Sequence, residues 1–240
     1  MEKSILPIIE DFISETQDID DIDLLKNTFT DNITPLGFDK HTCLSLVDMN
    51  EPPPDSIQLF CFPEEWVEHY KREKFYQDDV VLKTILKRVT PYIWNDLNKS
   101  DPLNQRIFSE AKEFGVSYGM TIPVTHSGHY PCSINMAGDH QDIDPLNFRI
   151  LHLMALYYYQ RIIHIKKLCG ELTELPALTT REAECLLWAS KGKSDADIGD
   201  ILSISDKTVR GHITNVRLKY KVRTRAQALV MAISRGIILP

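Results

Sequence analysis

Four consecutive helix signals crowd the segment from Leu178 to Leu239, and they leave few folds open to it. Thr179 or Thr180 precedes Arg-Glu-Ala-Glu, an N-cap with Glu182 placed for a capping box. Leu186, Leu187 and Ala189 supply an apolar face, and Gly192 closes the helix. Ser194 caps a second helix, in which Ile198, Ile201 and Leu202 recur at helical spacing. Ser203 to Asp206 reads as a turn, and Ser205 or Asp206 caps a third helix. Val209, Ile213 and Val216 of that helix face inward, while Lys207, Arg210, Thr214, Arg217 and Lys219 face out. A fourth helix starts near Thr224, carries Ala228, Leu229, Met231 and Ala232, and stops at Gly236. Two short helices joined by a tight turn, the second basic on its outer side, form a helix-turn-helix. Such a unit lays its second helix in the major groove of duplex DNA.

Charge is distributed to match. From Leu175 onward the chain has 11 Lys/Arg and 6 Asp/Glu, whereas the remainder has 16 Lys/Arg and 28 Asp/Glu. The net charge of −7 therefore hides a basic C-terminal part, and local cations are all that a phosphate-facing surface needs. Seven basic residues and one acid lie between Asp206 and Arg225. A solvated charged helix would show the same basic face. The caps, the turn and the two-helix hairpin in register favour DNA.

The 240 residues suggest two domains. We divide them into an N-terminal domain over 1–169, a linker over 170–177 and the helix-turn-helix domain over 178–240. No apolar run reaches 18 residues, and MEKSILPIIEDF lacks a signal-peptide pattern, so a cytoplasmic protein without a membrane partner is expected. Five scattered cysteines (Cys43, Cys61, Cys132, Cys169, Cys185) fit reduced thiols, with neither a disulfide frame nor a metal site.

The N-terminal part mixes α and β. Helices are expected over Ser4–Ser14, Asp20–Thr30, Glu64–Lys71, Val80–Lys87 and Leu103–Phe114. Strands are expected over Cys43–Val47, Ile57–Cys61, Thr121–Thr125 and Pro131–Met136, the last two joined through Ser127-Gly128. Hairpins of this kind predict an antiparallel sheet with helices on both faces, an α/β/α sandwich, so the whole chain is α+β. Pro145–Leu168 is the longest helix, capped by Asp144 and apolar nearly all round. It is either a central core helix or one that shares a face with a second copy, as two-fold readers of DNA half-sites require.

The C-terminal segment resembles the LuxR-type helix-turn-helix family. The resemblance rests on Leu-Thr-x-Arg-Glu-x-Glu from Leu178 to Glu184, then Trp188, Gly192-Lys193, Ile198, Ile201-Leu202, Thr208-Val209, His212, Asn215, Lys219, Val222, Arg225, Ala228 and Gly236-Ile237. Gly199, where the family often has alanine, and Gly211, inside the third helix, depart from it. Of the outer residues, Arg210, Thr214 and Arg217 are assigned to base edges, and Lys207, Lys219 and Arg223 to phosphates, with Thr208 beside them.

A second resemblance covers about residues 30 to 168. Trp66, Tyr70, Asp79 and Trp94, followed by Gly115-Val116, Gly119, Thr121-Ile122-Pro123 and Ser133, match the autoinducer-binding domain of LuxR-type quorum-sensing regulators. These regulators bind N-acyl-homoserine lactones, and the residue chemistry is compatible. Burying such a ligand requires a partner for each polar group, since an unpaired one costs about 1–3 kcal/mol. An indole N–H can only donate, which suits Trp66 to the lactone carbonyl; an ionised carboxylate can only accept, which suits Asp79 to the amide N–H. The resemblance implies that Tyr70 and Ser133 donate to the amide carbonyl and that Trp94 packs near the ring. Val80 stands where the family has proline. Phe62, another ligand-site candidate, stands where many relatives have tyrosine. Taken singly, the same residues read as core aromatics, a helix N-cap and a strand hydroxyl.

The resulting expectation is a homodimeric regulator, not an enzyme and without a cofactor, whose partners are a small-molecule autoinducer, duplex DNA with two half-sites and RNA polymerase. Alternatives are a non-lactone signal, or an N-terminal domain that only dimerises. A phosphorelay receiver would need parallel βα units, and the acidic run Asp18 to Asp23 reads instead as a solvated helix start. His126-x-x-His129 lacks a third ligand and reads as surface.

Overall fold

The computed structural model describes residues 5–124, 129–138, 143–172 and 175–239. They form two compact units, Met1–Val124 with Cys132–Leu172, and Thr125–Pro131 with Thr173–Pro240. Leu172, expected in a linker, is buried in the core of the first unit, while Leu175 and Leu178 pack on that of the second. Leu172 and Leu175 thus anchor the two sides of the expected linker to separate cores.

The first unit opens with α1 (Leu6–Thr16) and α2 (Ile22–Ile33), the second capped by the Asp21 carboxylate. Its sheet contains β1 (Lys40–Ser45), β2 (Gln58–Cys61), β3 (Tyr92–Ile93), β4 (Tyr118–Val124) and β5 (Cys132–Gly138). The spatial order is β2-β1-β5-β4-β3, and every pair is antiparallel. Helices α3 (Glu64–Arg72), α4 (Val80–Ile85) and α5 (Pro102–Glu113) lie between strands in the chain, and α6 (Pro145–Leu168) follows the sheet.

Strand alternation assigns the faces. Cys43, Met120, Ile122, Cys132, Ile134 and Met136 point to a core shared with α1, α2 and α6. Thr42, Thr121, Ser133, Asn135 and Ala137 occupy the intervening positions, and Ala137 packs into a second core with Trp66, Val81, Trp94 and Ile107 of the opposite layer. The expected α/β/α sandwich is present. The Ser127-Gly128 turn and His126 lie outside the described residues. His129, expected at the surface, is buried.

Helix α6 starts as expected, with the Asp144 carboxylate accepting from the Leu146 N–H and Pro145 in the first turn. Its apolar circumference has a cause within the chain. One side meets the sheet and another meets α1 and α2, burying nine of its residues. Two neighbours in one protomer cover much of that apolar surface, while Leu153 and Leu168 of α6 stay exposed.

The second unit is four helices: α7 (Thr180–Ser190), α8 (Asp195–Leu202), α9 (Asp206–Lys219) and α10 (Arg225–Ser234). Thr179 with Glu182, Ser194 with Asp197 and Thr224 with Gln227 form capping boxes, and Ser205 caps α9. Each supplies a partner for N–H groups that a helix start leaves open, at about 1 kcal/mol per cap. Among the described residues no helix is long and apolar enough to cross a membrane.

Candidate functional site: a lined cavity and a basic helix

Between the sheet and α3–α5 lies a cavity of about 70 Å³. Phe62, Trp66, Tyr70, Asp79 and Trp94 all line it, five of the six ligand-site residues read from the sequence. Trp66 and Tyr70, four apart on α3, present a common face, their rings 5.6 Å apart. Among the described residues the Trp66 indole N–H has no hydrogen-bond acceptor. Asp79 is the N-cap of α4: one oxygen accepts from the Val81 N–H at 2.8 Å and the other from the Tyr70 hydroxyl at 2.7 Å. Burial raises the Asp79 carboxyl above its ordinary range, against the lowering effect of those two bonds, and burial also pushes the Tyr70 phenol up. Tyr70 and Asp79 therefore satisfy one another.

Ser133 departs from its assigned place. It is on the cavity-side face of β5 but does not line the cavity, and its hydroxyl accepts from Asn135 Nδ2 at 3.1 Å. Asn135, two residues along the same face, and Thr42, its cross-strand partner, line the cavity instead. Trp94 is pinned to the same row: its Nε1 donates to Thr121 Oγ1 at 2.8 Å, and that hydroxyl donates to Asn135 Oδ1 at 2.8 Å. Thr121 enters the sequence reading only as part of the family pattern, without a role, and Thr42 and Asn135 do not enter it. Their only local signal is a polar residue at alternate positions of otherwise apolar strands.

On α9, Lys207, Thr208, Arg210 and Thr214 are exposed, as are Gly211, Asn215 and Leu218. Arg210 sits 3.5 Å from Asp195 and 3.8 Å from Asp206, at 68% exposure, where such pairs contribute at most about 1 kcal/mol and yield readily to a phosphate. The Thr208 hydroxyl is engaged with Ser205 Oγ at 2.8 Å. Arg217, assigned to bases, is half-buried, with Nε shielded from solvent and without a partner among the described residues.

Lys219, assigned to a phosphate, has another role. Its Nζ donates to Glu182 Oε2 at 2.6 Å and to the Ala177 carbonyl at 3.0 Å. Glu182 is 3% exposed, so a buried carboxylate needs that cation, and its own carboxyl is held below the usual range with Lys219 as partner. Lys219 fastens the end of α9 to the start of α7. Arg223, beyond α9, is exposed.

Comparison with known proteins now bears on both sites. The family described as "Autoinducer binding domain" matches residues 22–162, and "Bacterial regulatory proteins, luxR family" matches 176–232. The transcriptional activator protein BjaR1 of Bradyrhizobium diazoefficiens is 31% identical over 184 residues, 75% of this chain and 74% of that one. The chain belongs to the LuxR family. The quorum sensing-dependent regulator RpaR of Rhodopseudomonas palustris is 29% identical over 217 residues, covering 89% and 88% of the two chains. Escherichia coli SdiA shares the fold at a TM-score of 0.70 and 22% identity, over 99% of this chain and all of that one. This LuxR-family chain is an autoinducer-binding transcriptional regulator and not an enzyme.

Two departures from the family pattern acquire physical reasons. Val80 has what proline lacks, a backbone N–H, and it donates to the buried Asn104 Oδ1 at 2.8 Å, which steadies the turn that aims Asp79. At Gly199 a Cβ would lie 2.7 Å from the Ile204 carbonyl oxygen, so the turn between α8 and α9 passes too close for alanine. Ser203, in the left-handed region at φ 57°, completes that turn. Gly211 has open space where a Cβ would be, so its surroundings tolerate rather than require it.

Proposed function

We propose that the cavity takes an N-acyl-homoserine lactone and that its occupancy favours a homodimer whose two α9 helices read two half-sites on duplex DNA. The observation that carries the reading is the convergence of a donor-only indole (Trp66) and a buried acceptor (Asp79) on one apolar cavity. That is the polarity the lactone carbonyl and amide N–H require. On ligand entry the Tyr70 hydroxyl is in place to turn from Asp79 to the amide carbonyl, while Asp79 keeps its bond to Val81.

The cavity is small beside the ~300–1,000 Å³ of pockets that hold drug-sized ligands. A ligand that reshapes this core biases whatever conformations depend on it. In this reading the exposed Arg210 and Thr214 take base edges, and the exposed Lys207 and Arg223 take phosphates. Lys219 is better explained as a strut. The homodimer is supported by an apolar stripe on α10, where Val230 and Ile233 are exposed at i and i+3. The exposed Leu239 follows them in the chain. A regulator seated on DNA in this way acts in the bacterial cytoplasm, with RNA polymerase as its partner at the promoter.

Trp66→Phe keeps an aromatic ring on the same face and removes the N–H. It is expected to weaken lactone-dependent DNA retention about 10–100-fold in ligand concentration, the equivalent of one unmet buried hydrogen bond. Band-shift titrations paired with sedimentation of the lactone-bound chain check both parts. An unchanged response in the variant, or a monomer bound to a two-half-site operator, would contradict the reading.

A further inference from the structure

We infer that Asp195 is a positioning residue that sets DNA specificity: its carboxylate holds the Arg210 guanidinium in the plane that a guanine edge requires. This rests on the base-edge reading of Arg210. The exposed cations of the DNA-facing surface are not alike. Among the described residues Lys207 and Arg223 form no ion pair, whereas Arg210 has a carboxylate beside two of its nitrogens. Its Nε lies 3.5 Å from Asp195 Oδ2 and its Nη2 lies 3.8 Å from Asp206 Oδ2. A cation destined for a phosphate gains nothing from flanking carboxylates, which weaken its field toward an anion. One destined for a base edge gains direction, because a long side chain bonds two atoms at once most readily when its plane is already set. With Nε and one side of Nη2 turned to carboxylates, the outer N–H groups of Nη1 and Nη2 remain. They form the parallel pair that meets guanine O6 and N7.

Of the two carboxylates, Asp195 is the one held from outside α9. Asp206 is on α9 itself, one turn before Arg210, and is exposed. Asp195 opens α8 and is half-buried, and its other oxygen accepts from Arg225 Nη1 at 2.5 Å. Arg225, the first residue of α10, also donates from Nη2 to the Lys193 carbonyl at 2.9 Å. The carboxylate is thus clamped between the starts of α8 and α10, and Arg210 rests on a fixed support. In solvent the contact is weak; against a duplex, with water excluded, the same geometry holds more firmly.

The test is selection by the purified full chain from a pool of duplexes with a random core, with and without lactones of graded length, followed by sequencing. Wild type is expected to enrich guanine at one position of each half-site about tenfold. Asp195→Asn keeps an oxygen for Arg225 and removes the charge beside Arg210. It is expected to abolish that enrichment while still binding the unselected pool. Asp195→Ser, which suits a helix start, repeats the test if the first variant does not fold. Arg210→Ala is expected to lose the same guanine and to become indifferent to Asp195→Asn. Guanine enrichment that survives in a folded Asp195 variant overturns the inference, because a carboxylate that only ties α8 to α10 weakens binding at every sequence alike. Failure of both Asp195 variants to fold makes the residue structural and overturns it equally. An Arg210→Ala chain that weakens evenly at all sequences, or a wild type that enriches none, overturns the base-edge reading beneath it.

Discussion

Replacing Gly119 with alanine is expected to destabilise the first unit by about 2–4 kcal/mol and to abolish its response to ligand. Gly119 sits on β4 beneath the indole of Trp94. A Cβ built there would lie 2.5–2.6 Å from three ring carbons. The strand cannot retreat, because β4 is hydrogen-bonded to β5 on one side and β3 on the other. The ring must move, and movement breaks its bond to Thr121, the first link in the row that reaches the cavity. Overpacking and an unmet indole N–H thus add. Urea unfolding gives the stability loss, and a lactone titration gives the lost response. Gly211, with open space around it, supplies the contrast: alanine there should stabilise α9 by about 1 kcal/mol. A Gly119→Ala chain of wild-type stability and ligand response would show that Trp94 does not sit as described.

The second large effect is a loss of stability in mild acid that depends on one histidine. His41 on β1 is fully buried between layers, its Nε2 2.9 Å from the Tyr158 hydroxyl and its ring edge-on to Phe29, which stacks on Tyr158 at 4.0 Å. Burial, reinforced by the charge of Lys26, depresses its pKa from 6.5 to about 3. The folded chain thus keeps the imidazole neutral, whereas the unfolded chain takes up a proton below about pH 6.5. Its contribution is fully present above pH 6.5 and is lost as the pH falls toward 3, at up to about 1.4 kcal/mol per pH unit. Between pH 6.5 and 4.5 that amounts to roughly 2–3 kcal/mol. His41→Leu should be less stable at pH 7.5, having lost the bond to Tyr158, yet its stability should fall with pH by about one proton less. Urea midpoints across the range measure the slope directly. Parallel slopes for the two chains would exclude His41 as the source.

Local chemistry was legible in the sequence, and long-range pairing was not. Thr179 with Glu182 and Ser194 with Asp197 announce their helices because the partners are three residues apart, as are the bonds they make. Asp144 and Pro145 do the same for α6. Trp66 and Tyr70 could be placed on one face because helical spacing is fixed. The Thr42–Asn135 contact spans 93 positions and exists only once the register of β1 on β5 is set. Lys219 and Glu182, 37 apart, are likewise joined only by the packing of α9 on α7, so a lysine on a basic helix reads as a phosphate contact until its partner is seen. Strand β3 has two residues, too few for alternation to register. The breadth of apolar surface on α6 was visible, but whether it faces two neighbours in one chain or a second chain depends on where α1 and α2 lie.

The central claim, that the cavity belongs to an acyl-homoserine lactone, is tested most directly by thermal unfolding of the purified chain against lactones of graded length. A ligand at 100 times its Kd adds about 2.7 kcal/mol to the folded state. The account predicts a rise in midpoint that varies with chain length and is largely lost in Trp66→Phe. A folded chain that binds DNA yet shows no shift with any lactone would contradict it.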